Sequence, residues 1–248
     1  MRIAALYDIH GNLPALEAVL KDVSATHPDI IVCGGDIFPG PMGRECLQLL
    51  QSQAMRVHYV MGNGDREVLA ARTGTVSNTI PPAFRDVMAW CASQLTDADA
   101  SAVGDWPLTQ TLTGDGIERV LFCHATPEND TSIFTRLTPD RELLSWVDML
   151  PSGATVVCGH THMQFDRTVR GVRIINAGSV GMPFGTTRAC WLELDGTATL
   201  RHTSYDVDAA ARRVRKTNYP QAESFASVNI LQPPSEAEML ARFSPGAG

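Results

Sequence analysis

The run Ile30-Ile31-Val32-Cys33 is wholly apolar, too short for a helix, and stops at Gly34-Gly35-Asp36. A strand without polar alternation must be covered on both faces, as interior strands of parallel sheets are. Residues 13–25 precede it and set Leu16, Val19, Leu20 and Val23 on one helical stripe, with Asn12 placed to cap the helix and Pro14 in its first turn. Residues 43–53 follow it and carry Cys46, Leu47, Leu49 and Leu50 in the same way. Strand-like runs at 2–7 and 57–60 bracket the whole. The pattern predicts β-α-β-α-β, an α/β fold whose site lies outside the carboxyl ends of parallel strands.

Those ends carry chemistry. Asp8-Ile9-His10 follows the first strand, Asp36 the second, and Gly62-Asn63-Gly64-Asp65 the third. Two later apolar runs, 119–123 and 154–158, end in His124 and in Gly159-His160-Thr161-His162. In an extended segment residues i and i+2 share a side, which would pair Asp8 with His10 and His160 with His162. One strand-end histidine is ordinarily a turn or core residue; the repeated placement of Asp8, His10, Asp36, Asn63, His124, His160 and His162 points to metal. Imidazole mixed with carboxylate suits manganese, iron, zinc or nickel better than magnesium or calcium. The set is too large for one such ion and fits two ions sharing a carboxylate.

The remaining chain reads as helices at 84–95 and 97–103, a strand at 109–113 turned at Gly114-Asp115-Gly116, a polar loop at 126–138 bordering the pocket, and a helix at 141–150. Strands at 165–169, 172–175, 189–194 and 197–203 and a helix at 206–216 complete it. The formal charge of −7 argues against a general affinity for nucleic-acid backbones. The cluster Arg212-Arg213-Val214-Arg215-Lys216 reads as a solvated helix face. No apolar run approaches the ~18 residues of a membrane span, and the start of the chain lacks a signal-peptide pattern. A cytoplasmic protein away from membranes is expected. The six cysteines show no C-x-x-C spacing, and Cys33, Cys123 and Cys158 sit inside apolar runs as small hydrophobes. His27 and His202 read as surface residues. Beyond residue 217 the composition turns to Pro, Ser and Ala, and Ser235-Glu236-Ala237-Glu238 matches a capping box ahead of Met239, Leu240 and Phe243. A short helix docked on the body or on a neighbouring subunit is expected there, which leaves a homo-oligomer open.

The series Asp8-x-His10, Gly35-Asp36, Gly62-Asn63-x-Asp65, His124 and Gly159-His160-x-His162 resembles the calcineurin-like metallophosphoesterase superfamily. Asp8-Ile9-His10-Gly11-Asn12 and the stretch from Asn176 to Gly181 are similar to its compact bacterial phosphodiesterase branch. The resemblance implies a double β-sheet sandwich flanked by helices, a four-layer αββα fold, as a domain at 1–216 followed by a tail at 217–248. It implies that Asp8, His10, Asp36 and His162 hold one divalent ion and Asp36, Asn63, His124 and His160 a second, with Asp36 bridging. Asp36, Asn63, His124 and Asp65 would belong to the catalytic machinery, hydrolysing a small phosphorylated substrate by in-line attack of a hydroxide shared by the ions. Asn63, a neutral ligand, limits the negative charge met by an anionic substrate.

One position departs from the family. Much of the superfamily has a histidine after the motif asparagine, acting on the leaving group; here it is Gly64. The expectation is a preference for good leaving groups, an Asp65 without the partner it would orient, and a gain on alkyl monoesters from Gly64→His. His58 is a candidate substitute acid, though its mid-strand position reads as structural. The competing reading is a scaffold of the same fold with weak catalysis, as in a related retromer subunit. The His-x-His-x-Asp-His run of other two-metal hydrolases is absent. The glycines at 176–181 read as a turn, or as backbone support for the ligands or a phosphate.

Overall fold

The computed structural model describes residues 1–78, 80–114 and 117–244, so the expected turn at Gly114-Asp115-Gly116 falls outside the described residues at 115 and 116. Strands β1 (Ile3–Leu6), β2 (Ile30–Cys33) and β3 (Arg56–Tyr59) pair in parallel. The antiparallel strands β9 (Ala189–Leu194) and β10 (Ala198–Thr203) extend this sheet beyond β1, giving the order β10-β9-β1-β2-β3. A second sheet holds β4 (Thr109–Gly114), β5 (Ile117–Cys123), β6 (Thr155–Cys158), β7 (Phe165–Val169) and β8 (Val172–Asn176) in the order β4-β5-β6-β8-β7. Its central strands β5, β6 and β8 run parallel and its edges antiparallel.

Strand alternation explains how the sheets stack. Ile3 and Ala5 are buried between the sheets with Phe122, Val157 and Ile175. Ala4 and Leu6 face the other way, onto Leu16 and Val19 of α1 (Leu13–Thr26) and Leu47 of α2 (Gly43–Gln51). The outer face of the second sheet buries Val156 and Ile174 against Leu143, Trp146 and Val147. Helix, sheet, sheet and helix layers follow, which is the αββα sandwich expected. The carboxyl ends of the parallel strands in both sheets face the same cleft.

Several local readings hold in detail. Asn12 caps α1, its side chain accepting from the Ala15 N–H at 3.3 Å, a contact typically worth about 1 kcal/mol. All six cysteines are free and buried. On α7 (Val207–Arg215), Arg213 pairs with Glu17 and Arg215 with Glu223, so those arginines face solvent and acidic partners. No described helix is long and apolar enough to cross a membrane.

One expectation is corrected and one gap is filled. The helix at 141–150 is broken into a 3-10 turn at Asp140–Glu142 and one turn of α-helix, Leu144–Val147. Arg167 holds the chain that leads in: it pairs with Asp140 and donates to the carbonyls of Thr135 and Thr138. The segment after Asn63, for which the sequence pattern assigned no element, is helix α3 (Asn63–Thr73); the expected helices follow as α4 (Pro82–Gln94) and α5 (Asp97–Gly104).

The last segment wraps back onto the body. A short helical turn at Ala222–Ser224 runs straight into a π-helical stretch, Phe225–Leu231. Tyr219, Phe225, Ala226 and Ile230 join the main core. The final helix, Glu236–Arg242, carries the Ser235 capping box and buries Met239 and Leu240 against Met163.

Candidate metal centre

The ligand-type residues converge, but not by strand alternation. β1 ends at Leu6 and β6 at Cys158, so neither pair lies on extended chain. Asp8, His10, Asp36, His160 and His162 all have positive φ, between 44° and 65°. Left-handed backbone at a non-glycine residue costs on the order of 1–3 kcal/mol and survives only where the surroundings over-determine it. Here the loops after β1 and β2 are stitched together: the N–H groups of Asp8, His10 and Gly11 donate to the carbonyls of Gly35, Asp36 and Ile37 at 2.9–3.1 Å. The sharp turns, not the i, i+2 spacing, aim these side chains into one place.

Asp8 is fully buried. Its Oδ2 accepts the His160 N–H at 2.8 Å, while Oδ1 has no hydrogen-bond partner. Around that oxygen stand the Nε2 atoms of His162 at 3.4 Å, His124 at 3.8 Å and His10 at 3.9 Å. Asp36 Oδ2 lies 3.5 Å from His124 Nε2 and 3.7 Å from His10 Nε2, so it reaches both sides of the cluster. Its Oδ1 is fixed by the Gly64 N–H at 2.7 Å. Asp8, His10 and His162, and likewise Asp8, Asp36 and His124, place ligand atoms within 4.8 Å of one another.

The imidazoles are oriented from behind. His10 Nδ1 meets the Pro39 carbonyl at 3.2 Å, His124 Nδ1 the Gly34 carbonyl at 3.0 Å, and His162 Nδ1 the Met182 carbonyl at 2.8 Å. The hydrogen-bond network thus assigns the proton to Nδ1 and leaves each Nε2 as a lone pair, the arrangement that metal-binding histidines adopt. Two such nitrogens, on His10 and His162, are only 3.2 Å apart. A buried carboxylate oxygen and several lone pairs, facing one another with no donor between them, need a cation or a shared proton.

The titrating groups respond accordingly. Burial drives the Asp8 carboxyl up, but His162, His124 and His10 together outweigh it and hold Asp8 below the usual carboxylate range. Burial and the Asp8 charge push Asp36 well up. Burial and His162 lower His10 to about 3, and burial and His124 lower His160 to about 4. For His162 burial works against the charged form, but Asp8 wins and raises it. Ligands bind metal in their deprotonated forms, so a cation bound here would compete with protons for these groups.

Asn63 completes the second side. Its Oδ1 lies 3.1 Å from His124 Nε2. Turned over, the amide would instead donate to His124 Nε2 at 3.1 Å, His160 Nδ1 at 3.0 Å and the Asp130 carbonyl at 3.2 Å. Hydrogen bonding alone favours the turned amide; a cation at the focus favours oxygen inward. The donor set therefore fits divalent metal.

Asp65 has a different task from the one expected. Far from lacking a partner, its carboxylate accepts the N–H groups of Asp36 at 2.8 Å, Phe38 at 2.9 Å and Gly62 at 3.1 Å. Burial and Asp36 push it up to about 8, against the pull of those N–H groups. It braces the loop after β2 against the start of α3. Gly64 is equally committed. A Cβ there would run into the Phe38 carbonyl oxygen and lie 2.7 Å from Pro39 Cδ, so a histidine grafted at 64 has no room and the expected gain is withdrawn. His58 lies in β3 opposite Val32 and does not line the cavity beside the centre.

The stretch after β8 is support rather than a simple turn. Asn176 Nδ2 donates to the Gly159 carbonyl at 2.6 Å, Ser179 Oγ to the Asp8 carbonyl at 2.7 Å, and the Gly181 N–H to the same carbonyl at 3.0 Å. The supporting carbonyls of Gly34, Pro39 and Met182 carry no sequence signal, because any residue type supplies a carbonyl.

Comparison with known proteins agrees with this geometry. Residues 1–197 match the calcineurin-like phosphoesterase superfamily domain, and the chain belongs to that superfamily. The crystal structure of a metallophosphoesterase from Sphaerobacter thermophilus superposes with a TM-score of 0.71 at 26% identity, covering 93% of this chain and 100% of that one. An uncharacterized protein of Methanocaldococcus jannaschii is 28% identical over 240 residues, 88% of this chain and 94% of its own. A symmetrical bis(5'-nucleosyl)-tetraphosphatase from Baumannia cicadellinicola is 32% identical over 127 residues, 49% of this chain and 41% of its own. The structural match carries the sandwich fold, and family membership carries metal-dependent phosphoesterase chemistry in general.

Proposed function

We propose that the protein is a dinuclear metal-dependent phosphodiesterase. The observation that supports it most is the buried, partnerless Asp8 Oδ1 facing three imidazole Nε2 atoms. Asp8, His10, Asp36 and His162 would hold one ion, and Asp36, Asn63, His124 and His160 the other. Bound there, divalent ions acidify a water and polarise the phosphoryl oxygens.

The chain's own residues set the conditions for that chemistry. With Oδ1 of Asp36 held by the Gly64 N–H, its Oδ2 would be the oxygen offered to both sides of the cluster. Asn63 contributes an uncharged oxygen, which keeps the floor from repelling a phosphate. Asp65 holds the two loops in register. The described residues lining the cavity include no lysine or arginine, so the walls add no charge to meet the second negative charge of a phosphate monoester. A diester, with one negative charge, suits such a site better.

The test is metal analysis of protein purified without chelator, then assay of bis(4-nitrophenyl) phosphate against 4-nitrophenyl phosphate. About two ions per chain and a preference for the diester are expected. Protein that takes up neither manganese, iron, zinc nor nickel and cleaves neither ester would refute the proposal and favour the scaffold.

A further inference from the structure

A cavity of about 280 Å³ opens beside the cluster, floored by His10, Asp36, Asn63, His160 and His162. One wall comes from the C-terminal segment: Tyr219, Gln221, Ser224, Phe225 and Asn229. Phe84 and Met88 of α4, packed against that segment, continue the wall. The tail lies beyond residues 1–197, so the family's common domain does not supply this wall.

We propose that residues 219–229, together with Phe84 and Met88 of α4, are the specificity wall of the site, and that they select phosphodiesters bearing a neutral, flat, apolar-faced ester group over polyphosphates. This rests on the phosphoesterase reading for where the phosphoryl group sits; the wall's own preference stands on separate observations.

The first is charge. A polyphosphate carries several negative charges, and protein sites answer them with arginine, lysine or helix N-termini. No arginine or lysine is among the described lining residues, and the helix N-terminus at the floor, that of α3, gives its Gly64 N–H to Asp36 at 2.7 Å. Arg66, on the first turn of α3, is turned to Asp130 at 2.7 and 3.1 Å and to Glu67 at 2.8 Å.

The second is an aromatic ring not spent on the core. Phe84 is 47% exposed, whereas Phe225 and Met88 are nearly buried. Two apolar side chains fixed by packing and one free ring at the rim form a slot for a planar group. The third is polar but uncharged. The side chains of Ser224 and Asn229 make no hydrogen bond among the described residues, and Gln221 Nε2 ties the tail to α4 through the Ala83 carbonyl at 3.2 Å. Free neutral donors beside an apolar slot match the polar edge of a heteroaromatic group.

The π-helical stretch accounts for the wall's shape. Bonding i to i+5 widens the turn and keeps Phe225 and Asn229 on one face. Phe225 and Ile230 root the stretch in the main core, so the wall is fixed rather than a flap.

Two substrates with one leaving group isolate the slot: bis(4-nitrophenyl) phosphate and methyl 4-nitrophenyl phosphate. Metal-loaded protein should favour the bis-aryl diester by about tenfold in kcat/KM, and Phe84→Ala should shrink that ratio to about twofold. In parallel, calorimetry should show diphenyl phosphate binding more tightly than dimethyl phosphate. Ser224→Lys, at an exposed position, should bind tripolyphosphate about tenfold more tightly with metal content unchanged. Equal turnover of the two diesters, or a wild-type preference for tripolyphosphate, overturns the wall while leaving the phosphoesterase reading intact. Aryl-selective binding that depends on Phe84, without any turnover, supports the wall and sinks the phosphoesterase reading.

Discussion

In the floor of the cavity and just beneath it, His10, Asp36, His160, His162 and the fully buried Asp8 sit in left-handed backbone, fastened by carbonyls, N–H groups and the Asp65 brace. On the wall, Tyr219 and Gln221 lead into the helical segment that holds Ser224, Phe225 and Asn229; none carries a charge, and the segment meets α4 through the Tyr219 ring on Trp90 and one side-chain hydrogen bond from Gln221. The floor holds strained residues in place with redundant bonds, so its groups act together or not at all. The wall rests on the packing of Tyr219 and Phe225, so its exposed positions, Ser224 and Phe84, can change one at a time. Chemistry that must not vary is built on the first plan, and selectivity on the second.

Substitutions can test that division. The largest effect is expected from Asp8→Ala, which removes the oxygen at the focus of the cluster. Activity should fall roughly a thousandfold, about 4 kcal/mol of barrier, with bound metal lost in elemental analysis. Near-normal metal content and turnover would break the comparison at its strongest point. Asp65→Ala comes next. It leaves three buried N–H groups unpaired and should lower unfolding stability by about 3 kcal/mol in a denaturant titration; a change under ~0.5 kcal/mol would mean that the brace is idle. Gly64→Ala should cost about 2 kcal/mol through the clash with Phe38, and Gly64→His should reduce rather than raise monoester hydrolysis. Smallest is Phe84→Ala on the wall: stability should stay within about 0.5 kcal/mol while aryl selectivity falls. A large stability loss there would show the ring to be part of the core.

Much of this was readable one residue at a time. β1, β2 and β6 announce themselves as short apolar runs, and the polar residues just beyond them are those found at the shared edge. Asn12 and Ser235 cap helices through contacts three residues away, well inside the reach of a sequence pattern. Helix α3 was hidden because Gly62-Asn63-Gly64 has the composition of a turn; its start is held by Asp65 reaching back to the Gly62 N–H and outward to Asp36 and Phe38. The approach to the 3-10 turn at Asp140–Glu142 is likewise held by Arg167, from a strand of the second sheet.

By itself, the sequence determined the alternation of strands and helices and the set of carboxylate, amide and imidazole groups at the strand ends, since burial and strand length act over a few neighbouring residues. Tertiary structure alone decided the left-handed turns that aim those groups, the carbonyls that orient each imidazole, the closure of position 64 by Phe38, and the wall formed by the tail. Each joins groups far apart in the chain through hydrogen bonds or steric contact, and no local pattern encodes which distant atom will arrive.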